Sequence, residues 1–127
     1  MNSAAGIRWG RILIAGVLAE LLVVVLLAPV YLVFGEQAAV YSTTWASFVG
    51  LFLLAAWVGR KIESRFVLHG LLVACVAILF YVTVTLAQPE SLLYLAAHAC
   101  KLLGGTAGGF YAEKRKQRLD SGVAVSR

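Results

Sequence analysis

Two charged side chains lie inside long apolar runs of this sequence, Glu20 within Ile12 to Phe34 and Lys101 within Leu92 to Ala112. Near the centre of a membrane-spanning helix each would cost about 2.5–3.5 kcal/mol if left unpaired. At 1.5 Å per residue, Glu20 lies roughly 13 Å along its helix from Arg11 and Lys101 about 20 Å from Lys114. A lysine stem covers that difference, so the expectation is an ion pair between the first and fourth helices, within one subunit or across a subunit boundary. Such a pair can fix helix register or act as a relay for protons or ions. Alternatively, Lys101 snorkels outward and never meets Glu20.

His98 precedes Lys101 by three residues, falls on the same helix face and would extend a polar track toward the outside. With no second histidine or carboxylate at ligand spacing, it predicts a packing residue and no metal site. His69, near the start of the third apolar run, is expected in the solvated interface. No G-x-S-x-G or H-E-x-x-H pattern is present, and neither histidine has a nucleophile at a telling distance. No enzyme and no cofactor is predicted.

The fourth run also carries Gly104-Gly105-Thr106-Ala107-Gly108-Gly109, two interleaved G-x-x-x-G patterns. Glycines four residues apart make a flat groove that lets another backbone approach closely. The groove predicts either packing against the first or third helix or an interface with a second copy or a membrane partner. Ala15, Gly16 and Ala19 make the first helix a candidate mate.

These residues need four helices to hold them. The chain of 127 residues is 61% hydrophobic and 13% charged, whereas soluble domains carry roughly 25% charged residues. Spans of about 20 residues are predicted over 12–34, 38–58, 66–87 and 92–112, with a basic tail over 113–127 whose last residues, from Ser121, fray. The fold class is an all-α integral membrane four-helix bundle of two hairpins in a single domain. Turns are expected at Gly35-Glu36-Gln37 and Gln88-Pro89-Glu90. Ser42, Thr43, Thr44 and Ser47 weaken the second span near its outer end and are candidates for bonds across helices.

Ten of the eleven basic residues fall at one side of these runs. Arg8 and Arg11 precede the first, Arg60, Lys61 and Arg65 separate the second and third, and Lys114, Arg115, Lys116, Arg118 and Arg127 follow the fourth. The other two connections carry only Glu36 and Glu90 as charges. Lysine and arginine stay on the cytoplasmic side, so both termini and the central connection are predicted inside a bacterial plasma membrane. The net charge of +5 therefore meets anionic lipid headgroups rather than nucleic acid. Trp9, Trp57 and Tyr111 would mark the inner boundary, and Tyr31 and Tyr41 the outer one.

The first run is too long for the 7–15-residue apolar core of a signal peptide and reads as a mature span. Cys75 and Cys100 lack metal or C-x-x-C spacing and read as buried free thiols. A shift of 54 residues superposes Arg11 on Arg65, Gly16 on Gly70, Glu36 on Glu90 and Gly50 on Gly104, as a duplicated hairpin would. That duplication would relate the halves by an axis along the membrane normal.

Gly16-Val17-Leu18-Ala19-Glu20 resembles the first-helix motif of small multidrug resistance transporters, which implies a proton-exchanging role for Glu20 alone. The likeness covers five residues, and the aromatic and glycine pattern of those transporters' later helices is absent. More of the chain, Gly59-Arg60-Lys61, His69-Gly70-Leu71-Leu72-Val73 and Leu102 to Gly109, resembles the small bacterial four-span membrane proteins of the YrzE group. That resemblance implies a fold and a topology and transfers no catalytic residue.

Two functions follow. One is a structural or accessory subunit, in a homo-oligomer or with a membrane partner, associating through Gly104, Gly105, Gly108 and Gly109. The other is a small proton-coupled transporter or channel using Glu20, with Lys101 and His98 as partners.

Overall fold

A computed structural model describes residues 6–86 and 91–125 of the chain. They form four helices and no strand: α1 (Trp9–Phe34), α2 (Glu36–Gly59), α3 (Phe66–Val84) and α4 (Leu92–Val125). The predicted runs 12–34, 38–58 and 92–112 lie within α1, α2 and α4, and the run 66–87 contains α3. The expected turn at Gln88-Pro89-Glu90 and the terminal Arg127 lie outside the described residues.

Three boundaries differ from expectation for local reasons. α1 ends at Phe34 as expected, with Pro29 inside it. The turn, however, is Gly35 alone, whose φ of 85° and ψ of −179° belong to a region essentially reserved for glycine, so α2 begins at Glu36 where 38 was expected. α3 stops at Val84, and Leu86 then takes a positive φ. α4 runs 34 residues to Val125, so Ser121 and Gly122 continue the helix where fraying was expected.

α1, α2 and α3 are long and apolar enough to cross a membrane. α4 is longer than any of them, but His98, Lys101 and four glycines dilute its apolar stretch. The bundle is apolar outside and fine-grained inside. Leu13, Ile14, Leu18, Leu21, Val24 and Val25 of α1 face outward, while Ala15, Ala19, Ala55, Ala74, Ala77, Ala97 and Ala112 fill the interior. Small interior residues let helices approach, and a surface of large apolar side chains suits lipid rather than water.

α2 and α3 each pack against both α1 and α4, and they touch one another across the middle, whereas the α1 and α4 backbones make no contact. A twofold axis along the bundle would make the α2–α3 and α4–α1 relations equivalent. They are not, so the packing lacks the symmetry that a hairpin duplication would impart.

One end of the bundle collects the basic residues. The Arg11 guanidinium donates to the Lys61 carbonyl at 2.9 Å, and Lys116 Nζ donates to the Glu63 carbonyl at 3.1 Å. The start of α1, the α2–α3 connection and the last third of α4 therefore share an end. His69, expected in a solvated interface, is buried there instead. Its Nδ1–H donates to the Arg65 carbonyl at 2.9 Å, and its Nε2 accepts the Arg8 backbone N–H at 3.4 Å. It ties the chain entering α1 to the first turn of α3.

Candidate functional site

The two intramembrane-type charges meet. Lys101 Nζ lies 2.5 Å from Glu20 Oε1, with the two side chains only 3% and 8% exposed. Because α1 and α4 stand on opposite corners of the bundle, the pair is a strut across its diagonal. Small residues make room for it: Ala19 and Ala97 are both buried beside the pair's own positions. Lys101 Nζ also sits 4.7 Å from the Tyr81 ring centroid, where the ring face attracts a cation. Oε1 of Glu20 receives no further hydrogen bond among the described residues.

The pair lies at the closed end of a cavity of about 650 Å³, within the range of small-molecule sites. α1 contributes Val23, Val24, Leu27 and Tyr31 to its wall, α2 Glu36, Thr43 and Ser47, α3 Tyr81, and α4 Tyr94, Ala97 and His98. Glu36, in the first turn of α2, places the mouth at the end of the bundle opposite the basic one. Past the pair toward the basic end the interior is solid, filled by Ile12, Ala15, Leu51, Val58, Val73 and Ala74. The cavity is blind, and its floor is an ion pair.

His98 lines the same space and meets Tyr81 edge-on at 5.1 Å between centroids. The three polar residues picked out in the sequence thus share one site. Sequence reasoning missed its other members. Ser47 is fully buried on the wall, and its hydroxyl has no hydrogen-bond partner among the described residues. Leaving a buried hydroxyl unsatisfied costs about 1–3 kcal/mol, so a ligand or water that reaches it is favoured. Tyr81 and Tyr94 stack at 6.3 Å and give the chamber an aromatic side. Thr43, Thr83, Thr85 and Thr106 donate to carbonyls three or four residues earlier in the chain, and no cross-helix bond from them occurs among the described residues.

The glycine stripe packs inside the bundle, on the third helix as one expected alternative had it and also on α2, which was not expected. Gly104, Gly105, Gly108 and Gly109 are all buried. A Cβ on Gly104 would meet the Phe48 carbonyl and one on Gly108 the Phe52 carbonyl, both on α2. On Gly105 and Gly109 it would meet the carbonyls of Gly70 and Phe66, both on α3. The stripe is wedged between α2 and α3, and α1 is not its mate. The small residues of α1 have other neighbours, with Gly16 set against Val76 and the Val73 carbonyl of α3.

No group of three or more histidine, cysteine, aspartate or glutamate side chains that could hold a metal ion occurs among the described residues. Cys75 and Cys100 are free and half-buried rather than fully buried. No protein-family model matches the chain, and no significant similarity links it to a curated protein or to a solved structure.

Proposed function

We propose that this chain is a four-span protein of a bacterial plasma membrane, with both termini and the Arg60 to Arg65 connection in the cytoplasm, and that it is a small proton-coupled transporter working through the Glu20–Lys101 pair. The carrying observation is that a blind cavity ends on that pair. Hydrogen bonds gathering the basic residues at one end support the orientation. α4 joins the spans in this reading because its buried Lys101 pairs with Glu20 and its half-buried His98 packs on Tyr81 rather than facing lipid.

The pair restricts what can open it. Removing one partner from a buried ion pair strands the other charge at a cost of 3–5 kcal/mol. A proton on Glu20 alone therefore leaves Lys101 uncompensated. The species that relieve both groups carry both signs, either an anion that arrives with a proton or a zwitterion. Glu36 at the mouth and the tyrosine side of the chamber would admit the positive end of such a ligand. The role is non-enzymatic and needs no cofactor.

Reconstituted protein in liposomes tests this reading. Uptake of a small zwitterion, or of a weak-acid anion with a proton, is expected from native protein and abolished in Glu20→Gln. The double variant Glu20→Gln with Lys101→Met should be folded but inactive. If the double variant transports as well as the native chain, the pair is only a structural strut and the proposal fails.

The second reading, an accessory subunit of a homo-oligomer or a partner complex, keeps its support from the large apolar exterior. It needs a face other than the glycine stripe, which α2 and α3 already fill. The resemblance to the YrzE group agrees with either reading.

A further inference from the structure

A second cavity, of about 470 Å³, lies at the basic end between the last turn of α2, the α2–α3 connection and α4. Its charged lining is Arg60, Lys61, Arg115 and Lys116 against the single carboxylate of Glu63. No ion pair among the described residues uses any of these five, since Lys116 is turned onto the Glu63 carbonyl rather than its carboxylate. Four cations held around one hollow repel each other, and an anion seated among them removes that cost. The α2 C-terminus contributes carbonyl dipoles that hold Arg60 and Lys61 nearby.

The rest of the lining is apolar: Ala56, Ile62, Ala112 and Leu119, with Tyr111 at the edge. From Tyr111 an aromatic row climbs the α2–α4 seam, Tyr111 to Phe52 at 5.7 Å and Phe52 to Phe48 at 6.3 Å. Tyr111 of this lining and Trp57, next in the chain to its Ala56, are half-exposed, as are rings that sit at the headgroup level of a bilayer. A charged hollow at headgroup depth, continued by an apolar seam one helix-pair long, matches a phosphate joined to acyl chains. We infer that this cavity binds the phosphate of an anionic glycerophospholipid, with Arg60 and Arg115 gripping the phosphate oxygens and an acyl chain lying along Phe52 and Phe48.

Native mass spectrometry of the full-length protein in neutral detergent tests the site, with phosphatidylglycerol, phosphatidylcholine and inorganic phosphate as probes. One phosphatidylglycerol should stay bound, with phosphatidylcholine and inorganic phosphate each weaker by about tenfold or more. Arg60→Gln with Arg115→Gln should weaken phosphatidylglycerol by a similar factor. Lys114→Gln with Arg118→Gln removes the same charge outside the cavity and should change it by less than about twofold. Equal losses in the two double variants would reduce the effect to general surface charge and overturn the inference. Equal retention of phosphatidylcholine would reduce it to apolar adhesion, and displacement of the lipid by inorganic phosphate at equal concentration would make the cavity a free-anion site.

Discussion

Exchanging glycine for alanine should have opposite signs at two positions of α4. At Gly105 a methyl group would collide with the Gly70 carbonyl and crowd the Ala74 methyl. Neither is the far end of a flexible side chain, so α3 and α4 must separate. Overpacking of this kind costs about 1–3 kcal/mol, offset by up to about 1 kcal/mol of improved helix propensity. At Gly122, where nothing lies within 4 Å of the added methyl, only the propensity gain remains. Gly105→Ala should therefore lower stability by roughly 1–2 kcal/mol, Gly105→Leu by more, and Gly122→Ala should raise it slightly. Unfolding of full-length protein in mild detergent by added dodecyl sulfate, followed by circular dichroism, reads all three. Cross-linking in native membranes gives the oligomeric state in parallel. If Gly105→Leu unfolds like the native chain but loses an oligomer, the stripe faces a partner and the packing described here is wrong.

Lys101→Met should destabilise by about 3–5 kcal/mol because it leaves the buried Glu20 carboxylate without its counter-charge; adding Glu20→Gln should recover most of that loss in the same unfolding assay. Gly35→Ala should cost about 1–3 kcal/mol, since the cost is conformational with no atom within 4 Å of the new methyl. Unaltered stability there would mean that the α1–α2 turn is not as described. Reporter fusions after Arg65 and at the C-terminus should both give the cytoplasmic signal, and opposite signals would refute the orientation.

The helices were legible because lipid-type spans are written in uninterrupted apolar runs, and Glu20 and Lys101 were legible because a charge in such a run stands out. The depth arithmetic brought the two together across helices that share no backbone contact, since the reach of a lysine matters more than helix adjacency. Partner choice was not legible. Small residues at helical spacing define a face without naming what covers it, so Ala15, Gly16 and Ala19 looked as good a mate for the glycine stripe as the Gly70 and Phe48 neighbourhoods that fill it. Ser47 was one hydroxyl among the four of the second span, and only the packing isolates it without a partner among the described residues. His69 looked interfacial from its position in the run, but the Arg8 backbone folds over it.

The sharpest measurement is thiol labelling from outside intact cells, in a background with Cys75→Ala and Cys100→Ala. Thr43→Cys stands half-buried on the cavity wall, and Leu51→Cys is about two helical turns closer to the basic end, in the sealed core. A small membrane-impermeant methanethiosulfonate should modify Thr43→Cys from the outside and leave Leu51→Cys untouched from either side. Labelling of Thr43→Cys only in inverted vesicles, or no labelling at all, would contradict an outward cavity ending on Glu20 and Lys101.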